Sequence, residues 1–233
     1  MEPKNIGFTE DQIKAEQAAY ITKVFTWMTL ALAVTGFVAL ATSMNAEMMQ
    51  GIFGNRILYF GLIILEFVLV GALVGWIRKM SAAMAIAVFM GFALLNGLTL
   101  SVIFLIYKPE SIAITFFVTA GTFAVMAFLG YTTKKDLTSF GNLMMMGLFG
   151  IIIASLANFF LKSEGLYWII TYVGVAVFIG LVAYDTQKIK QMNIIGNQGT
   201  EEDQKESIMG ALTLYLDFIN LFLMLLRLLG NKK

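Results

Sequence analysis

Five ionisable side chains lie within or at the ends of otherwise apolar stretches: Glu66, Arg78, Asp185, Asp217 and Arg227. The chain has no Cys and no His, which excludes thiol nucleophiles, thiolate metal sites, disulfides and imidazole acid–base chemistry together. Proton chemistry must therefore use carboxylates. A carboxylate at bilayer depth is costly, and sequences that keep one generally use it. Two carboxylates at hydrogen-bonding distance in a low-dielectric setting resist losing both protons, so such a pair acts as a proton switch. The same oxygens suit a divalent cation, because Ca²⁺ takes only oxygen ligands. Two carboxylates alone hold it weakly, as a conduction path requires.

The elements that must position these groups follow from composition. Hydrophobic residues make up 59% of the 233 positions and charged residues 13%, about half the charge of a soluble domain. With a mean hydropathy of +0.80, lipid is the expected solvent, and the fold class is an all-α polytopic membrane protein. Apolar segments run over 24–43, 57–77, 82–107, 111–131, 141–161, 167–184 and 207–226, each close to the roughly 20 residues that a spanning helix needs. A net charge of +1 without a basic stripe excludes nucleic acid as a partner. Residues 1–20 are polar and lack a basic-then-apolar leader pattern, so they read as a cytoplasmic tail ahead of a membrane domain at 21–233.

Lys and Arg in the loops set the orientation. With the N-terminus inside, Lys4, Lys14, Lys23, Arg78, Lys79, Lys134, Lys135, Lys188, Lys190 and Lys205 lie inside, against Arg56, Lys108 and Lys162 outside, which predicts a cytoplasmic N-terminus. Arg227, Lys232 and Lys233 would lie outside if the seventh segment crosses fully, and a re-entrant segment would remove that conflict; its length favours crossing. Gly71 and Gly75 stand at GxxxG spacing, which reads as ordinary packing. The scattered Met residues read as apolar filler rather than a copper path.

Spacing offers one pattern of charge pairing. The second segment rises roughly 18 Å from Glu66 to Arg78 and the seventh roughly 15 Å from Asp217 to Arg227. Antiparallel neighbours could set Arg78 against Asp217 and Glu66 against Arg227, with Asp185 joining the inner pair. A plain ion pair that fixes helix register is the other reading of this cluster, and Asp185 could instead face water at a helix end. Asn96, Thr99, Ser101, Asn158 and Asn220 could line an ion path or merely bond between helices.

Four stretches carry a family resemblance: GALTLYLDFINLFLMLLRLLG over 210–230, AYDTQKIK over 183–190, GYTTKKDL over 130–137 and NGLTLSVIF over 96–104. Together they resemble the Bax inhibitor-1 family, in particular its bacterial members. The resemblance implies a seven-helix bundle with the last helix central, in a bacterial inner membrane, leaking Ca²⁺ in a pH-dependent way with no resident cofactor. It implies that Asp185 and Asp217 are the pH sensor and ion-binding pair, that Arg78 latches the closed form, and that Glu66 and Arg227 form a second ion pair. Protonating the aspartates, or removing their charge, should then loosen the hold on Arg78 and favour the leak. The alternative is a membrane interaction protein that modulates a membrane-bound AAA protease through residues 1–20. An intramembrane aspartyl protease is disfavoured, because YD and LYLDFIN lack a GxGD pattern, and no enzymatic activity is expected.

Overall fold

In lipid, every backbone N–H and C=O must be satisfied within its own segment, so apolar runs of this length wind into helices. A computed structural model describes residues 7–233. Among the described residues, the spans are α1 (Glu10–Ser43), α3 (Arg56–Trp76), α4 (Ala82–Leu100) continued by α5 (Ile103–Ile106), α6 (Pro109–Thr132), α7 (Thr138–Leu161), α8 (Glu164–Met192) and α9 (Glu201–Leu229). A short α2 (Ala46–Gly54) joins the first two spans. Polar residues open most of them. Thr9, Asn55, Ser81, Ser163 and Thr200 accept hydrogen bonds from first-turn amides of α1, α3, α4, α8 and α9, and Pro109 opens α6, where a missing N–H costs nothing.

Among the described residues, seven helices are long and apolar enough to span a membrane, and the last is central. Within the apolar stretch of α9, 67% of residues are buried, against 6% in α3 and in α7. The difference sorts the bundle into layers: α1, α4, α6 and α8 pack around α9, while α3 lies outside α4 and α7 outside α8. Enclosure of the last helix thus falls to four neighbours rather than six. Tyr215, Leu214, Leu221 and Leu226 of α9 are fully enclosed in the core.

The seventh span crosses fully. Near one end of α9, the Ala82 amide donates to Glu201 at 2.9 Å. At the other, Lys108 N donates to Asn231 O at 3.0 Å and Lys233 N to Ile106 O at 2.9 Å. Because the third span itself runs from Ala82 to Ile106, α9 lies alongside it for the same depth, and re-entry is ruled out. Arg227, Lys232 and Lys233 therefore sit at the face opposite Lys79 and Glu201.

Helices extend beyond the apolar runs, so the polar stretch 188–206 is partly helical and α1 takes in residues 10–20 of the expected tail. The chain between α8 and α9 is only Asn193–Thr200, and α1 begins at Glu10; residues 1–6 of the tail lie outside the described residues. The polar start of α1 holds this loop in place. Glu16 accepts from the Gly196 amide at 2.8 Å. Lys23 pairs with buried Asp203 at 2.9 Å, which also accepts from the Gly199 amide at 2.8 Å.

Candidate functional site

Asp185 sits near the C-terminal end of α8 and Asp217 midway along α9, and these two helices pack closely. Helix α6 comes unusually near α8: a Cβ at Gly130 would collide with the Ala183 carbonyl, so only glycine permits that approach. The two aspartates are 8% and 5% exposed, both buried. Each carboxyl has the other as its side-chain hydrogen-bonding neighbour. No N–H or hydroxyl donor reaches Asp217 Oδ2. Two carboxyl groups can hydrogen-bond to each other only when one of them carries a proton. The charged side chain acting on Asp185 besides Asp217 is Lys188, whose ammonium lies 5.6 Å from the centre of the Tyr184 ring.

The expected partners of this pair are placed elsewhere. Arg78 lies in a one-turn 3-10 helix, Ile77–Lys79, is exposed, and forms no ion pair among the described residues. Its host helix α3 packs on α4 rather than on α9, so the antiparallel neighbours that spacing suggested are not neighbours. Arg78 falls near the face where Ala82 meets Glu201, whereas Asp217 lies about 24 Å further along α9 by helical rise.

Glu66 is likewise not paired with Arg227. Its carboxylate accepts from Thr99 Oγ1 at 2.6 Å and from Asn96 Nδ2 at 3.2 Å. Asn96 Oδ1 in turn accepts from the Tyr215 hydroxyl at 3.0 Å, and that hydroxyl lies 2.7 Å from Thr35 Oγ1. One chain of hydrogen bonds thus links α3, α4, α9 and α1. It sets Glu66 near the level of Tyr215, roughly 18 Å by helical rise from Arg227. Arg227 instead lies over the Tyr167 ring, 5.6 Å from its centre.

Of the polar residues considered for an ion path, Asn96 and Thr99 bond across helices, while Ser101, Asn158 and Asn220 bond locally to Leu98 O, Ser163 N and Leu216 O. Two contributors escaped the sequence reading. Tyr215 stands two residues before Asp217 and carries the bond to Asn96. Gln187 stands two residues after Asp185, donates to Lys135 O and accepts from Leu137 N, both at 2.8 Å, tying the α6–α7 turn to α8. Their position within AYDTQ and LYLDFIN was the available signal. Among the described residues, no three His, Cys, Asp or Glu side chains cluster to hold a metal ion. Asp185 and Asp217 can therefore offer a passing Ca²⁺ only part of the six to eight oxygens it takes.

A family model described as inhibitor of apoptosis-promoting Bax1 matches residues 17–233. Inner membrane protein YbhL of Escherichia coli K12 is 52% identical over 223 residues, covering 95% of each chain. A protein of Borreliella burgdorferi is 45% identical over 214 residues, covering 92% of each. A membrane protein of Streptococcus pyogenes is 31% identical over 229 residues, covering 97% of this chain and 98% of its own.

Proposed function

Because the chain belongs to the Bax inhibitor-1 family, we propose that it is a pH-sensitive Ca²⁺ leak channel whose proton sensor is the pair Asp185 and Asp217. Seven apolar spans and an inner-membrane relative place it as a multi-pass protein of a bacterial inner membrane. The observation that carries the leak reading is the buried contact between two carboxyl groups on adjacent spans, one oxygen of which no N–H or hydroxyl donor reaches. Arg78 is not within reach of the pair, and the cation that acts on Asp185 is Lys188.

The mechanism follows from what holds α8 to α9. With one proton shared, the carboxyl groups form a charge-assisted hydrogen bond, the strongest bond the pair can make. A second proton leaves two neutral acids and a weaker bond, so mild acid loosens the two helices and favours the leak. In this reading closure rests on the shared proton between Asp185 and Asp217 rather than on a latch by Arg78. As the helices part, the two carboxyl groups become weak, transient ligands for Ca²⁺, which must leave as readily as it enters.

The test is Ca²⁺ flux into proteoliposomes between pH 6 and 8, for the native chain and for the Asp185→Asn, Asp217→Asn double variant. Flux that rises toward acid in the native chain, with no pH response in the double variant, is the expected result. No flux above empty liposomes from folded, inserted protein would overturn the reading. It would favour instead a role in modulating a membrane-bound AAA protease through residues 1–20.

A further inference from the structure

Helices α1 and α6 both pack on α9 but hardly on one another, leaving a lateral groove between them. Its half nearer the N-terminus has a volume of about 560 Å³ and runs along α1 from Ala18 to Thr29. By helical rise that is roughly 16 Å, close to the depth of one leaflet, about half of 30 Å. The walls are apolar side chains, with Phe25 and Phe123 meeting edge to face at 6.4 Å.

At Tyr131 the groove changes character. Tyr131 lines the apolar groove and also a polar recess of about 300 Å³, which holds Lys134, Lys135 and Lys190. The Lys190 ammonium donates to Tyr131 O at 3.0 Å and sits over the Tyr131 ring at 4.5 Å. Gln187, 7% exposed, fixes the recess wall through its two bonds to the Lys135–Leu137 turn. The one carboxylate lining the recess, Asp136, forms no ion pair with the lysines among the described residues. Its Oδ1 accepts from Thr138 N at 2.8 Å and from Thr138 Oγ1 at 2.6 Å. None of the three lysines forms an ion pair among the described residues. A recess with three lysines against one carboxylate therefore opens into an apolar channel one leaflet deep.

We propose that this groove binds one anionic phospholipid of the leaflet on the N-terminal side, with its phosphate among Lys134, Lys135 and Lys190 and an acyl chain between α1 and α6. Charge complementarity selects the occupant: a zwitterionic lipid gains little from three unpaired ammonium groups, whereas an anionic headgroup gains about fivefold in affinity per lysine near the surface. The apolar half selects a lipid over a soluble phosphate. The site is separate from the aspartate pair and stands or falls independently of the leak.

Native mass spectrometry of the full chain in neutral detergent tests it, with phosphatidylglycerol, phosphatidylcholine and glycerol 3-phosphate as probes. One phosphatidylglycerol should be retained at concentrations where the other two are not. Lys134→Gln with Lys135→Gln should weaken that binding by roughly 25-fold, without changing thermal unfolding in lipid-free detergent, since both side chains are exposed. Ala124→Trp, which fills the groove wall, should weaken it with every lysine intact. Equal retention of phosphatidylcholine would mean that bulk lipid merely solvates the groove. Saturation by glycerol 3-phosphate would mean a headgroup pocket alone. Either result, or undiminished phosphatidylglycerol binding in both variants, overturns the proposal.

Discussion

A proton shared between Asp185 and Asp217 can be replaced or removed by substitution, and the two changes have opposite consequences. Asp217→Asn supplies an amide N–H that can donate to Asp185, so the contact persists while its titration is lost; the expected flux is low and independent of pH. Asp217→Ala removes the contact altogether. Loss of a charge-assisted hydrogen bond worth about 1.5–3 kcal/mol shifts a closed–open equilibrium roughly tenfold to a hundredfold, so this variant should leak at every pH between 6 and 8. Equal flux from the two variants would show that the contact does not hold the path closed. Asp136 provides the control. Its bonds from Thr138 keep its carboxyl below the usual carboxylate range, so it stays ionised throughout that window and would gain a proton only as the pH falls well below it. Asp136→Asn should leave the pH profile unchanged.

Between helices, the close approach of α6 to α8 depends on Gly130, while Gly71 and Gly75 of α3 face open space. The GxxxG spacing of the second segment therefore marks no helix contact within the chain. Gly130→Leu should force α6 away from α8 and lower stability by about 1–3 kcal/mol, the usual cost of overpacking. Gly71→Leu should change the midpoint of thermal unfolding little. Similar losses at both positions would contradict this packing. On the N-terminal face, Asp203 joins α1 to the start of α9 through Lys23 and holds the Gly199 amide. Asp203→Ala should cost about 1–3 kcal/mol locally. Hydrogen exchange checks this: amides of the Asn193–Thr200 loop should lose protection while the core of α9 keeps its own.

For the whole molecule, the full crossing of α9 fixes which ends share a face, and the absence of Cys makes that easy to read. Lys134→Cys and Lys232→Cys should react with an impermeant thiol reagent from opposite sides of sealed membranes, and labelling from the same side would contradict the crossing. Much of this architecture was legible in the sequence, because its signals are local. Segment length and hydropathy give seven spans, and the cost of burying charge singles out Glu66, Asp185 and Asp217. Which charges meet was not legible, because it depends on which helices are neighbours and on their relative depth. Matching the rises of the second and seventh segments gave a self-consistent pairing of Arg78 with Asp217 and Glu66 with Arg227. In the folded chain α4 lies between those helices, and its Asn96 bridges Glu66 to Tyr215. Equal spacing along two helices constrains a difference in depth and leaves the offset free; only packing around α9 sets that offset, leaving the two aspartates in contact and both arginines elsewhere.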